Sequence, residues 1–578
     1  MLKPTEKSSL MIGLFLSLWT IILFIYGPRL WCVIVAGNGP LEIALLASFS
    51  FLLVIFWSLA AYYISIIIFS YLSKPLSLPP DNKQIVDAKI AILYPTCNDF
   101  QYEAAESCLN QDYRDFHLFL LDDSTAEVYR KAVDSFHLTH SGKTTVIRRG
   151  TRIGFKAGNL NNGLRGAAAD YPFFAVVDAD ERLPVNFLTR AITYLHNSDY
   201  AFVQANHSPN PKQQSRFAQD IGPTILPFWH VHCKPRNQYG FVPFIGHGAV
   251  IRRSAWETVG GFPEIITEDL GFSVELGQRG MRGLFIHDLL CYEDFPEDYQ
   301  TFKRQQERYV IGTTQVILKY FCKIVMNNKL HWFEKVDFFL WCSPLYVPAL
   351  VLLFVILGSV GLPLAFGTWH QPVISVIGNE IALPKMRLLD EPFKLISSWD
   401  FQLFSLLCAL SPAFASISLG FQKKLKAIRL LFLSTVPYLS LMVIAWRGIL
   451  GYLFRGRVLF PPTGQSLIKT YLKDPKAISE QKIEYNGQND VWTSPWKWEI
   501  CIGIFLAVAS LVSMDLGLFA VSSCLMVGVG IQFVGWEKKS IRIIAVCCFV
   551  MIIFQMGLSF IIQTASRGMT PLIFSVHF

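Results

Sequence analysis

Long apolar stretches bracket one extended region of mixed texture. Residues 9–26 and 43–69 are almost wholly apolar, and a helix of about 20 residues crosses a hydrocarbon core about 30 Å thick. The first stretch lacks a small-residue cleavage site and is soon followed by the second, so it is expected to remain as a span. Between residues 74 and 329 short β-branched runs, at 89–95, 117–121 and 173–177, alternate with segments of helical period. That alternation predicts an α/β domain built on a mostly parallel sheet. Apolar stretches return at 336–362, 401–421, 499–514, 516–534 and 541–562.

The stretch 423–454 reads differently. Lys423, Lys424, Lys426 and Arg429 precede its apolar centre, Arg447, Arg455 and Arg457 follow it, and Pro437 interrupts it. Basic flanks on both sides predict an interfacial or re-entrant helix pair. The expectation is seven spans, with eight as the alternative. The N-terminus and the α/β domain then lie in the cytoplasm, and the C-terminus outside. Five regions follow: a transmembrane pair (1–73), a catalytic-type α/β domain with an interface helix (74–329), a second pair with an outer loop (330–422), an interfacial segment (423–498) and the last spans (499–578). The loop at 363–400 is long enough to meet a periplasmic partner.

Composition agrees with this layout. Only 16% of the 578 residues are charged, 52% are hydrophobic and 14% aromatic, with mean hydropathy +0.37, whereas soluble chains carry about 25% charged residues. Disordered, fibrous and ordinary soluble classes are excluded. The net charge of +8 fits positive-inside flanks better than a nucleic-acid surface. The 12 cysteines form no CxxC pair, which predicts free thiols.

Candidate chemistry is confined to the α/β region. Asp122-Asp123 ends an apolar run; carboxylates there lie where open α/β sheets bind ligands, or serve equally as helix caps. Lys156 sits in Gly154-Phe155-Lys156-Ala157-Gly158-Asn159 behind Arg148, Arg149 and Arg152. A lysine in such a loop can approach a phosphate, although the same run in isolation is more often a solvated basic loop. Asp178-Ala179-Asp180-Glu181 follows a strand run, and two hard carboxylates at that spacing suit Mg²⁺ or Mn²⁺ bridging a diphosphate. Thr267-Glu268-Asp269 follows the glycine-rich 244–248 and 260–262; it can supply a general base or a helix N-cap. Gln305-Gln306-Glu307-Arg308-Tyr309 lies on a basic amphipathic stretch. His207, His230, His232 and His247 have no metal-ligand spacing and read as satisfied histidines.

Taken in order, aspartates after a strand, KAGN, DAD, TED and QxxRY form the series of family 2 glycosyltransferases. Over about residues 89–315 the chain resembles the processive membrane polysaccharide synthases: bacterial cellulose synthase, hyaluronan synthase and chitin synthase. The resemblance implies a cytoplasmic GT-A domain, with a mostly parallel sheet, inserted between transmembrane helices of the plasma membrane. It implies that Thr96 (in Pro95-Thr96-Cys97-Asn98-Asp99), Asp123, Lys156 and Asp178 bind a UDP-sugar, and that Asp180 holds Mg²⁺ or Mn²⁺. Asp269 would be the general base beside Glu268 and Thr267, with inversion giving a β-linkage. His247, Gln305, Arg308 and Tyr309 would meet the growing polysaccharide.

Three departures bear on that resemblance. Tyr309 replaces the Trp of QxxRW. Phe244-Ile245-Gly246-His247-Gly248 replaces the FFCGS finger loop, and resembles glucosyltransferases that make osmoregulated periplasmic glucans. Phe460-Pro461-Pro462-Thr463-Gly464-Gln465 keeps the Phe and Thr of the gating loop FxVTxK without its Lys, leaving Thr463 to meet the diphosphate. No β-rich PilZ domain is expected after Gln465. The implied product is a β-glucan made from UDP-glucose; UDP-N-acetylglucosamine, a two-sugar polymer and single transfer to a lipid carrier are the alternatives, and a nucleotide-binding export module is the rival outside enzymes.

Overall fold

Alternate residues of Ile90–Thr96 (β1) serve two different cores. Ile90, Ile92 and Tyr94 pack on one face of the sheet with Leu120, Ala175 and Ile286, while Ala91 and Leu93 pack on the other with Leu121, Val176 and Phe272. Side chains alternate across a strand, so a run apolar at both parities is a strand covered on both faces. The computed structural model describes residues 7–577 apart from 75–87, 197, 372, 377–378, 383–384, 390–392, 397, 420–423, 456–494, 514 and 566–573.

The other strands of this sheet are Phe116–Asp122 (β2), Thr144–Ile147 (β3), Phe173–Val176 (β4), Glu181–Arg182 (β5), Phe202–Pro209 (β6), Ala249–Arg252 (β7) and Gly283–Glu293 (β8). They lie in the order β3-β2-β1-β4-β7-β6-β8-β5. Pairing is parallel from β3 to β4 and between β6 and β8. It is antiparallel around β7 and between β5 and β8. The mixed half was not readable beforehand because β5 and β7 are too short to show a period. The parallel half ends β1 at Thr96, β2 at Asp122 and β4 just before Val177-Asp178, so three motifs emerge at one edge.

Among the described residues, five helices are long and apolar enough to cross a membrane: Leu10–Val35, Pro40–Leu72, Trp332–Phe366, Trp496–Ser513 and Gly517–Val534. Helices Trp399–Leu419 and Lys539–Ala565 occupy the two remaining apolar stretches. The helices Lys426–Leu439 and Met442–Phe454 meet at 42°. The break falls at residues 440–441, just past Pro437 rather than at it.

The segment expected as a plain outer loop is partly strand. Gly367–His370 pairs with Met386–Leu389, and Val373–Val376 pairs with both Asn379–Ala382 and Phe574–His577. β-branched residues such as Val373, Ile374, Val376 and Ile381 favour that outcome.

Buried polar contacts lock two of these apolar helices to the α/β domain. Arg236 Nε lies 3.0 Å from Asp337 Oδ2, the Tyr62 hydroxyl donates to Asp337 Oδ1 at 2.7 Å, and Phe241 N donates to Asp337 Oδ2 at 2.9 Å. All 12 cysteines are free.

Candidate active site

The lysine motif is built by a strained turn. Gly154 (φ +75°) and Phe155 (φ +49°) are both left-handed, a cost of about 1–2 kcal/mol for a residue with a Cβ. The turn leads into helix Phe155–Arg165. Gly158 is required there, since a Cβ would stand 2.1 Å from the Ile153 carbonyl oxygen. Asn159 Nδ2 donates to the Leu121 carbonyl at 2.8 Å, pinning the helix to β2. The turn aims Lys156 Nζ at three motifs: 2.5 Å from Asp178 Oδ1, 3.0 Å from the Gly246 carbonyl oxygen and 3.6 Å from Glu268 Oε1. Burial would lower its ammonium, but Asp178 and Glu268 outweigh that and hold it charged.

Beside it, the DAD loop is organised by a residue that sequence reasoning passed over. Glu181 is fully buried. Its Oε1 lies 2.7 Å from His207 Nε2, and its Oε2 accepts from Gly248 N at 3.0 Å and Asp178 N at 3.3 Å. His247 stands between two carboxylates, with Nδ1 3.4 Å from Glu181 Oε2 and Nε2 3.5 Å from Glu293 Oε2. Trp229 Nε1 donates to Glu293 at 3.1 Å, and its ring lies 4.3 Å from that of His207. The only prior signals were the acid directly after DAD and a histidine inside an apolar strand. His207 and His247 both lie against one buried carboxylate of the site, but the Nδ1 of each is buried without a hydrogen-bond partner among the described residues, so neither is the fully satisfied histidine expected.

Charges in this loop are pushed apart. Burial would raise Asp178, yet Lys156 and His247 hold it below the usual carboxylate range. Burial and repulsion from Asp178 push Asp180 up to about 8. Burial would lower His247, but Glu181, Asp178 and Glu293 raise it to about 10. A carboxylate with no donor among the described residues, crowded by a second one, fits a divalent cation: Asp180, with Asp178 beside it, has the hard-oxygen character Mg²⁺ and Mn²⁺ prefer.

The TED motif faces the same point. Thr267 precedes helix Glu268–Gln278 but makes no side-chain cap bond, and its hydroxyl is buried without a partner. The two acids occupy the first turn, where the helix dipole favours negative charge. Asp269 Oδ1 accepts from Leu270 N at 2.7 Å. Its other oxygen abuts Gly246 (φ +89°), where a Cβ would stand 3.1 Å away. Burial raises Asp269 above 3.8, and pushes Glu268 up to about 7 against the pull of Lys156.

Thr96 is buried and donates to Asp99 Oδ1 at 2.8 Å. Asp123 is held in a fork by Arg149, Nε to Oδ1 at 2.9 Å and Nη2 to Oδ2 at 2.6 Å. Asp122 is paired with Arg148 at 2.7 Å. The aspartate pair does not cap the next helix; left-handed Asn98 accepts from Thr125 N and Ala126 N at 3.0 and 2.9 Å.

Gln305, Arg308 and Tyr309 lie on helix Tyr299–Val325. This helix supports the TED turn, since Ile266 N donates to Gln315 Oε1 at 3.0 Å and a Cβ on Gly312 would meet Thr267 at 2.5 Å. The Tyr309 ring lies exposed beneath the Arg308 guanidinium, 5.7 Å from it. Thr463 and the gating-loop-like segment lie outside the described residues.

A mixed sheet with lysine, DxD and TED elements converging at one edge, flanked by helices long and apolar enough to cross a membrane, is a GT-A-like fold. Residues 173–454 match the model of glycosyl transferase family group 2. A rice (Oryza sativa subsp. japonica) relative named "Probable glucomannan 4-beta-mannosyltransferase 9" is 30% identical over 297 residues, 46% of this chain and 54% of that one. The Arabidopsis thaliana "Glucomannan 4-beta-mannosyltransferase 2" is 26% identical over 284 residues, 46% and 53% of the two chains. The chain thus spans about half the length of these relatives. The solved mannosyltransferase PcManGT from Pyrobaculum calidifontis, in complex with GDP-Man and Mn²⁺, aligns with TM-score 0.44 at 18% identity, covering 66% of this chain and 99% of that chain.

Proposed function

We propose that this protein is an inverting membrane glycosyltransferase that extends a β-linked hexose polymer from a nucleoside-diphosphate sugar. The observation that carries the reading is the meeting of Lys156 with Asp178, the Gly246 carbonyl and Glu268, which brings the lysine, DxD, finger-loop and TED elements to one point. Asp269 accepts the proton of the acceptor hydroxyl as that oxygen attacks the anomeric carbon, and the bond to the diphosphate breaks on the opposite face. Lys156 offsets charge growing on the departing diphosphate. Asp180, with Asp178, holds a divalent cation; when bound, it neutralises diphosphate charge. Thr96, Asp123 and Thr463 serve the nucleotide side.

His247, Gln305, Arg308 and Tyr309 serve the acceptor side, where an exposed tyrosine can stack on a sugar ring. The polymer leaves through the chain's own spans, the catalytic domain facing the cytoplasm of the plasma membrane. The relatives' names add mannose to the glucose suggested by the finger loop, so the donor proposed is a nucleoside-diphosphate hexose.

The test is turnover by purified membranes given radiolabelled UDP-glucose, GDP-mannose or UDP-N-acetylglucosamine with Mg²⁺ or Mn²⁺, followed by sizing and linkage-specific digestion. Long product susceptible to a β-glycanase, abolished by Asp269→Asn with nucleotide binding retained, is expected. Label found only in an organic-extractable lipid defeats polymerisation. Undiminished turnover by Asp269→Asn removes the assigned base.

A further inference from the structure

Glu181 has no access to a substrate. Its side chain is fully buried, and its two oxygens are spent inside the protein: Oε1 toward His207 Nε2 at 2.7 Å, Oε2 toward the backbone N–H groups of Gly248 at 3.0 Å and Asp178 at 3.3 Å. One carboxylate oxygen therefore ties the DxD loop to the finger loop. The finger loop in turn leans on the base, because Gly246, two residues from Gly248, lies against Asp269 so closely that a Cβ would stand 3.1 Å from Oδ2. His207 is anchored in β6, whose Gln204 binds the same finger loop through the Ile245 N–H at 3.0 Å and the His247 carbonyl at 2.8 Å. Close approach is enforced from the loop side as well: Gly248 has φ +59°, and a Cβ there would stand 2.4 Å from His207 and 2.5 Å from Glu181 Oε1. Glu181, His207 and Cys291 also bring three buried metal-type ligand atoms together, and the carboxylate among them is engaged in hydrogen bonds through both oxygens.

We propose that Glu181 is a positioning residue for glycosyl transfer: through the Asp178 and Gly248 amides and His207 it sets the spacing between the donor-side aspartates and the base Asp269. The inference rests on the function proposed above. Misplacing reacting groups by about 1 Å can cost about 10²-fold in rate without loss of binding, so the signature is a fall in kcat with little change in donor affinity. In Glu181→Gln the shape is kept, but one oxygen that accepts becomes an amide that donates. With that amide nitrogen toward His207 the ring must turn to its Nδ1–H tautomer; with it toward the two backbone N–H groups, both lose their acceptor. Either way the negative charge 3.4 Å from His247 Nδ1 is gone.

The experiment compares wild type, Glu181→Gln, Gly248→Ala, the double variant and Asp269→Asn as full-length protein in detergent. Binding of UDP and GDP with Mn²⁺ is measured by calorimetry, and turnover is expressed per nucleotide-binding site. Both single variants should lose about 10²-fold in kcat with donor KM within about threefold. The double variant should be little worse than the poorer single one, because both disturb one contact. A purely structural residue would lower the number of binding sites and leave turnover per site intact; that result, in either folded variant, overturns the proposal. Undiminished turnover by Asp269→Asn would instead strike the reading of the site, leaving the two failures distinguishable.

Discussion

Lys303 and Glu499 form a closed ion pair between helix Tyr299–Val325 and helix Pro495–Ser513: Nζ lies 2.7 Å from Oε2, with the side chains 4% and 1% exposed. Gln532 Oε1, on a second span, lies 3.3 Å from the same ammonium. One turn earlier Tyr299 hydrogen-bonds Ser440 at the break of the bent helix pair, and one turn later Glu307 takes Arg447 in a fork at 2.6 and 2.9 Å. Residues spaced by four share a helix face, so one face of this helix is bonded to the long apolar helices. Gly312 and Gln315, on the opposite side, support the TED turn.

Breaking the pair from one side should therefore be costly. Glu499→Ala leaves a buried ammonium without its counter-charge, a loss of about 3–5 kcal/mol. Lys303→Met combined with Glu499→Leu should stay close to wild type, since both charges leave together. Thermal unfolding in detergent measures this, and a Glu499→Ala protein that melts with wild type would remove the pair from the forces holding helix and bundle together.

Gly246 offers a test of how tightly the finger loop is set against the base. Gly246→Ala forces a Cβ into a left-handed position (φ +89°) and brings it to 3.1 Å from Asp269 Oδ2. Backbone strain of about 1–3 kcal/mol is expected, with kcat reduced by at least tenfold because the carboxylate must move. Gly260→Ala is the control: its φ is also left-handed, +86°, but open space surrounds it. Equal losses of activity in the two variants would mean that strain alone, and not contact with Asp269, governs the effect.

What could be read from the sequence follows from which signals are local. β1, β2 and β4 were legible because apolar runs at both parities mark covered strands, and the motif residues at their ends then had only one edge to occupy. Glu181 was not legible: its partners His207, Gly248 and Cys291 lie on other strands and loops, and only the order of the sheet brings them together. The same holds for Arg149, which read as part of a solvated basic run but forks onto Asp123. Strands 367–389 were missed because each is only four residues long, too short to show a period of two.

The Arg149 fork makes its own prediction. On the proposal that Asp123 serves the nucleotide, Arg149→Met frees a nearly buried carboxylate and slackens the loop that presents it. Donor KM should rise about tenfold with kcat within about threefold, the pattern of lost uniform binding. A fall in kcat at unchanged KM would move Asp123 from nucleotide binding to the chemical step.

The pH dependence of transfer should carry the imprint of the TED pair. An ordinary aspartate ionises near 3.9, but burial, aided by repulsion from Asp178, raises Asp269 despite the Leu270 N–H, Lys156 and His247. Burial and then repulsion from Asp269 carry Glu268 up to about 7 against Lys156. Two carboxyls this close titrate together. The base works only when ionised, so activity is lost as pH falls through the raised value, and kcat/KM should decline on an acidic limb displaced from the usual aspartate range toward neutrality. Glu268, pushed up to about 7 by burial and by the ionised Asp269, is neutral in the range where Asp269 gains its charge, so Glu268→Gln removes no charge there and should leave the limb in place. Measured profiles between about pH 4.5 and 8.5 decide the matter: a limb that shifts or vanishes in Glu268→Gln would assign it to Glu268 rather than Asp269, and a limb that survives Asp269→Asn would assign the base elsewhere.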